Sequence, residues 1–288
     1  MRAQSSRPRP KRCDVRVKRR TRVHRIVTGS RSLARIIGEM RFVEIHFHLL
    51  PGVDDGPSSV DESLALASAA VADGTQTVVA TPHVHPQHIT EPAQIPDLVR
   101  ELVDHLRRRR IGLDVRAGGE LAHQMVGRLT GAELQAIAQG PPGRQWVLLE
   151  APFTGLDDSF SAAADELRHR GFGIVIAHPE RAMQSPATDS ALARERVAGS
   201  LLQLTAGSFA GLYGERTRID ALTLVRCAPR AVIASDAHGG ARMPALTKAV
   251  QELTAIGADA PSRYVGDIPR SLLEHGLIAA GPVAVVRR

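Results

Sequence analysis

The chain has 288 residues, 43% hydrophobic and 23% charged, the balance of a soluble globular protein able to bury one substantial core. No apolar run approaches the roughly 18 residues of a membrane span, and two cysteines, Cys13 and Cys227, imply no disulfide framework and fit a reducing compartment. The net charge of +7 is unevenly placed. Residues 1–39 hold 13 Lys/Arg against Asp14 and Glu39, leaving 24 basic and 28 acidic residues beyond them, which argues against a nucleic-acid binder.

Residues 1–39 are Arg-rich and lack apolar periodicity, so they read as a basic, disordered N-terminal extension. Met40 then reads as the natural start, and 40–288 as a single folded domain. A polyanion- or membrane-surface-binding arm and a targeting peptide are the competing readings of the extension. It has no apolar core of a secretory signal, so a cytoplasmic location is expected. Cys13 to Arg19 matches Cys-x5-Arg, but phosphate binding by such a loop needs glycine and a strand–helix setting, and this segment has neither.

From Met40 onward, short β-branched runs alternate with amphipathic segments of helix length. Strands are predicted at 42–47, 76–80, 113–117, 146–150, 173–177, 201–205 and 231–235. Ser59-Val-Asp-Glu62 predicts a capping box opening a helix that stops at Gly74. Further helices are expected near 91–110, 130–138, 159–170, 189–199, 216–227, 244–256 and 269–274. Strands flanked by helices and apolar on both faces predict an α/β fold, a distorted seven-stranded TIM-like barrel. A doubly wound sheet is the alternative, but no Gly-x-Gly-x-x-Gly follows the first strand.

Active sites of parallel α/β folds gather at the carboxyl ends of strands. Here those ends read His46-Phe-His48 with Asp55 beyond, Thr81-Pro-His83, Gly118-Gly-Glu120, Glu150, His178-Pro-Glu-Arg181 and Ser235-Asp236-Ala-His238. The strand ending in Thr205-Ala-Gly-Ser208 offers no strong ligand. His46 and His48, two apart on a strand, can grip one cation. Singly, each such residue reads as a satisfied surface group. Converging on one mouth they would repel one another unless cations neutralised them. Nine ligands exceed the coordination of one ion, and a nitrogen and oxygen set without cysteine suits Zn, Mn or Fe(II). His85 forms a second His-x-His with His83, and spacing does not choose between them. His88, His105, His123, His169 and His275 read as solvated, and Arg107–Arg110 as a helix-end charge run. Arg181 and Arg242 each follow a proposed ligand by three or four residues, placed to bind a substrate anion, with a rim salt bridge as the alternative.

The order HxH…DDG…TPH…GGE…LLE…AHPER…ASDAH resembles the PHP (polymerase and histidinol phosphatase) superfamily. More narrowly, residues 40–275 are similar to the CpsB/CapC/YwqE-like protein-tyrosine phosphatases of bacterial capsule and exopolysaccharide operons. The closest stretches are LLPGVDDGPSS, VVATPH, VIAHPER and VIASDAHG. The resemblance implies the PHP barrel and three ions. One would be held by His46, His48, Glu120 and Asp236, and another by bridging Glu120 with Glu150 and His178. The last would be held by Asp55, His83 and His238. It also implies phosphate contacts from Arg181 and Arg242. Phe47 departs from the pattern, since a small polar residue is common there. Two or three divalent ions are the expected cofactors, Mn first and Fe or Zn as alternatives.

The implied activity is metal-dependent hydrolysis of phosphotyrosine by activated water, without a cysteinyl intermediate. The implied partner is the tyrosine-rich tail of a membrane-associated bacterial kinase controlling polysaccharide synthesis. A homo-oligomer is a further expectation, because relatives are thought to make subunit contacts near the helix start at Ser59–Glu62. The alternatives are a histidinol-phosphate or other small-molecule phosphatase and, in a different class, a non-catalytic metal-binding module. A nuclease fits poorly with the acidic core.

Overall fold

The computed structural model describes residues 41–279 apart from Thr90, Met183 and Pro229. The basic extension, the Cys13–Arg19 motif and Met40 lie outside the described residues. Among the described residues there are nine strand segments: β1 (Phe42–Phe47), β2 (Thr75–Ala80), β3 (His83–Val84), β4 (Asp114–Ala117), β5 (Glu120–Ala122), β6 (Trp146–Glu150), β7 (Gly173–Ala177), β8 (Leu201–Thr205) and β9 (Val232–Ala234). Interleaved with them are α1 (Val60–Ala72), α2 (Ile95–Arg108), α3 (Gly131–Ile137), α4 (Asp158–His169), α5 (Pro186–Val197), α6 (Ala206–Phe209), α7 (Glu215–Cys227), α8 (Leu246–Ala255) and α9 (Asp267–His275).

All strand pairs are parallel, in the orders β1-β2-β4 and β3-β5-β6-β7-β8-β9. Neither order reverses along the sequence, so the doubly wound alternative, which turns back at a switch point, does not apply. Two sheets arise where one was expected because the second and third strands each break in two. Pro82 interrupts one, and Gly118-Gly119 the other. A Cβ on Gly118 would lie 2.4 Å from Val79 Cγ1, and one on Gly119 would lie 2.9 Å from Val84 Cγ2, so only glycine permits this approach. The broken strands stay in step through Gly118 N–H to Ala80 O (2.9 Å) and Glu120 N–H to Pro82 O (3.0 Å).

At their carboxyl ends β1 and β9 meet in a parallel bridge, Phe47 to Ala237. His48 N–H donates to Ala237 O (2.9 Å), and Asp236 N–H to His46 O (3.0 Å). The apolar core has two parts. A larger layer lies between strands and helices and includes Phe42, Phe47, Leu121, Leu149 and Phe160. A smaller one gathers Val43, Ile45, Val79, Trp146, Leu148, Val175 and Val232 against Leu272 and Leu273 of α9. Trp146 Nε1–H donates to Leu272 O (3.1 Å), fixing α9 against the amino-terminal residue of β6.

The predicted cap of α1 is half formed. Ser59 Oγ accepts from Glu62 N–H, but the Glu62 carboxylate reaches back to Ser58 N–H (2.7 Å) and Ser58 Oγ–H (2.9 Å) instead of to Ser59. Thr130 and Glu133 at α3 make the full reciprocal pair. Asp73, at the end of α1, accepts from Leu246 N–H (2.8 Å) and Thr247 N–H (3.3 Å), so one turn caps the start of α8.

Candidate metal centre

β1 is buried along its whole length. Val43 and Ile45 belong to the inner cluster and Phe42 and Phe47 to the outer one, so side-chain alternation slips between Ile45 and Phe47. The register with β2 shifts between Glu44 and Phe47 as well. Such an irregularity re-aims side chains. It turns His46 and His48 inward together.

Each of these rings is held by its second nitrogen. His46 Nδ1 lies 2.8 Å from Gln203 Oε1 on β8, and His48 Nδ1 lies 2.7 Å from Asp54 Oδ2. Both oxygens are acceptors, so the protons sit on Nδ1 and the Nε2 lone pairs face the mouth. The two Nε2 atoms are 3.2 Å apart. Glu120 Oε2 lies 3.1 Å from His46 Nε2 and 3.3 Å from His48 Nε2; Asp236 Oδ1 lies 3.3 and 3.5 Å from them. Four donors at about 2.1 Å from one tetrahedral ion would be roughly 3.4 Å apart. His46, His48, Glu120 and Asp236 fit that spacing and are buried.

Two further groups adjoin this one. His48, Asp55, His83 and His238 form the first, with Asp55 Oδ1 3.4 Å from His83 Nε2 and 3.1 Å from His238 Nε2. His83, Glu120 and Glu150 form the second, with His83 Nδ1 3.1 Å from Glu120 Oε2. His178 turns Nε2 to the other Glu120 oxygen, Oε1, at 2.8 Å. Backbone strain concentrates here. His178 (φ 35°) and Asp236 (φ 51°), which follow β7 and β9, both adopt the left-handed region.

Arg181 and Arg242 converge on Asp236 Oδ2, at 2.6 and 2.7 Å. Arg242 Nη1 also lies 3.5 Å from Asp55 Oδ2. The Arg181 guanidinium lies over the rings of Phe153 (4.8 Å) and Tyr213 (4.2 Å).

The electrostatics favour a cation. Burial opposes charge on Glu120 and Asp236, yet both are held well below the usual carboxylate range by the surrounding imidazoles, His46 foremost. Burial likewise lowers His48, but the neighbouring carboxylates of Asp236, Asp54 and Glu120 raise it well above the ordinary histidine range. Glu150 is pushed up to about 7 by burial and then by the Glu120 charge. These carboxylates draw positive charge onto whatever is near. Glu120 Oε2, Asp236 Oδ1, His178 Nδ1 and His238 Nε2 are buried and have no hydrogen-bond partner among the described residues. Unpartnered Glu120 Oε2, Asp236 Oδ1 and His238 Nε2, each close to other nitrogen and oxygen donors, fit divalent metal ions.

All nine expected ligands lie at or beside this mouth, with one difference in grouping. His83 joins Glu120 and Glu150, where His178 was expected, and His178 contacts Glu120 from the side. His83, not His85, belongs to the cluster; His85 Nδ1 accepts from Gln87 N–H (3.1 Å). His88, His169 and His275 are exposed as expected, whereas His105 and His123 are half-buried. Sequence reasoning missed Asp54, Gln203, Glu44 and Glu180. Asp54 also accepts from His83 N–H (3.0 Å), and Gln203 also accepts from His178 N–H (3.2 Å). Glu44, pushed up to about 8 by burial, accepts from Ser235 N–H (2.7 Å) and Ser235 Oγ–H, fixing the residue before Asp236. Glu180 takes Thr205 N–H and Ser208 Oγ–H, each at 2.8 Å. The available signal was an acid or amide inside a strand or turn with no solvent face.

Fold and site together define a parallel α/β protein whose strand ends gather donor groups that could hold metal. The family described as "Capsular polysaccharide synthesis, CpsB/CapC" matches residues 42–274, and the chain belongs to that family. It is 32% identical over 206 residues to the tyrosine-protein phosphatase YwqE of Bacillus subtilis (strain 168), covering 68% of this chain and 77% of YwqE. It is also similar to a crystal structure from the pair YwqE of Bacillus subtilis and CpsB of Streptococcus pneumoniae, metal-dependent tyrosine phosphatases. That match has a TM-score of 0.70 and 27% identity, over 85% of this chain and all of the other. A 5-methylcytosine deaminase from Klebsiella pneumoniae, at 14% identity and TM-score 0.52 over 79% of this chain and 73% of its own, shares the fold alone.

Proposed function

We propose that this chain is a metal-dependent protein-tyrosine phosphatase acting on a phosphotyrosine protein. The observation that carries the reading is the convergence of three donor groups with Arg181 and Arg242 on the one carboxylate of Asp236. One ion would be held by His46, His48, Glu120 and Asp236, one by Glu120, Glu150 and His178 with His83 alongside, and one by Asp55, His83 and His238. Mn is the first choice, then Fe or Zn. When bound, the ions supply Lewis acidity toward the phosphoryl oxygens and activation of water.

The protein's own groups do the positioning. Asp236 Oδ2 orients both guanidiniums, which would bind phosphoryl oxygens and offset their charge as the ester bond breaks. Gln203 and Asp54 keep His46 and His48 in one tautomer. A tyrosine leaving group has a pKa near ~10, so it departs with less proton help than a serine alkoxide. Among the described residues no cysteine belongs to the donor groups, and the reaction is read as proceeding by activated water without a cysteinyl intermediate.

Three wider readings follow. The two sheets act as one distorted seven-stranded barrel, supported by the bridge between β1 and β9 and the hydrogen bonds across each strand break. The catalytic domain begins near Met40, in keeping with the span of the family match. The phosphoprotein is read as a membrane-associated tyrosine kinase met in the cytoplasm; of this, the family's description supports the link to capsular polysaccharide synthesis. Among the described residues no helix is long and apolar enough to cross a membrane.

The test is a phosphatase assay with Mn, Fe or Zn on phosphotyrosine peptides and small phosphoesters. Phosphotyrosine turnover that EDTA abolishes and thiol alkylation leaves intact is expected; full activity after prolonged chelation, or preference for histidinol phosphate, would overturn the reading. Arg181→Ala and Arg242→Ala should each lower kcat by at least tenfold while metal content is kept.

A further inference from the structure

Two aromatic side chains stand at the mouth on separate tight turns. Phe153 occupies the second position of the turn Pro152–Gly155, closed by Gly155 N–H to Pro152 O (3.0 Å) just beyond β6. Tyr213 occupies the third position of Gly211–Gly214, closed by Gly214 N–H to Gly211 O (3.1 Å) beyond α6. Both glycines of the second turn have positive φ (81° and 91°), a conformation that favours glycine. Tyr213 also packs close to Gly207, where a Cβ would meet its ring at 3.3 Å. The two rings are therefore set by backbone, and between them they hold the Arg181 guanidinium.

Phe153 does more than support Arg181. Its ring stacks on the His178 imidazole at 5.5 Å and 22° between planes, so it lies directly beside the donor cluster. Yet the residue remains 53% exposed, an uncommon state for a large aromatic so placed. Leu212, next to Tyr213, is 52% exposed, and Met243, next to Arg242, is 44% exposed. Exposed apolar ring surface thus borders the Arg181 guanidinium at an otherwise charged mouth. An alkyl phosphate would leave that surface wet. A phenyl ring attached to the phosphate would cover it.

We infer that Phe153, with Tyr213 behind Arg181, is the specificity platform that takes the aromatic ring of an aryl phosphate and selects tyrosine esters over aliphatic ones. This deepens the phosphatase reading and rests on it. Ring-on-ring contact adds binding beyond simple area burial, and it is available only to an aryl substrate.

The experiment measures binding of phenylphosphonate and methylphosphonate to metal-loaded protein by calorimetry, beside kcat and KM for a phosphotyrosine peptide and its phosphoserine counterpart. Phe153→Ala should weaken phenylphosphonate on the order of tenfold more than methylphosphonate, whose smaller loss reads the support lent to Arg181, and raise KM for phosphotyrosine more than for phosphoserine. Phe153→Tyr should restore the discrimination, and Phe153→Leu, which keeps bulk without a ring, should not. Equal loss for both phosphonates would make Phe153 a support for Arg181 only and overturn the inference, as would no loss for either. Wild-type protein that turns over no phosphotyrosine would instead defeat the phosphatase reading itself.

Discussion

Gln203 stands in β8 among Leu201, Leu202 and Leu204, fully buried, with one oxygen serving both His46 Nδ1 and the His178 backbone. It binds no ion, yet it decides which nitrogen of His46 is available to one. Second-layer partners of this kind are worth about 10–100-fold in metal affinity. Gln203→Leu fits a leucine-lined strand and should keep the fold while weakening metal binding by about that factor, read by competitive titration with a chelator. An unchanged affinity would remove the role. The residue was open to recognition in the sequence, as the one amide in an apolar strand. The ligands themselves were legible because they recur at strand ends; Asp54 was passed over because Asp55, its neighbour, looked equally able. Nothing local marked Phe153 or Tyr213, whose partner Arg181 is brought to them by tertiary folding.

At the scale of elements, strands 146–150, 173–177 and 201–205 were predicted residue for residue, since each is a β-branched or leucine run buried on both faces. The breaks were not. Two-residue and three-residue strands such as β3 and β5 carry no periodicity, and Gly118-Gly119 reads equally well as a strand end or an interruption. The close approach at Gly118 gives a test. Gly118→Ala must displace Val79 in the inner core and should cost about 1–3 kcal/mol, seen as a fall in Tm. Gly112→Ala, where a Cβ meets nothing within 4 Å, should leave Tm nearly unchanged. Equal melting of the two variants would refute the packing argument. Asp73→Ala removes the cap it lends to α8 and should cost about 1 kcal/mol, again by melting.

For the whole molecule, metal held by these donor groups would link stability to metal content. The donors come from β1, β3, β5 and β6 and from the segments that follow β1, β7 and β9, so the assembled cluster belongs to the folded chain. Saturation at about a hundred times Kd stabilises a folded protein by about 2.7 kcal/mol per site. Melting with Mn should therefore occur several degrees above melting in EDTA; identical curves would contradict a folded-state site. The fold class and mouth were readable because a parallel arrangement puts every strand end on one side. The particular bridge of Phe47 with Ala237 was not, since it joins residues about 190 apart in sequence.

The packing of α9 carries an optical consequence. Trp146 is the chain's single tryptophan, nearly inaccessible to water, with its indole N–H bound to Leu272 O. It is the first residue of β6, whose last is Glu150 at the mouth, so strand length separates chromophore from chemistry. Intrinsic emission should shift to the red when α9 detaches and stay constant as ions or phosphonates occupy the other end. A fluorescence denaturation curve would then time the release of this helix, independently of what happens at the site.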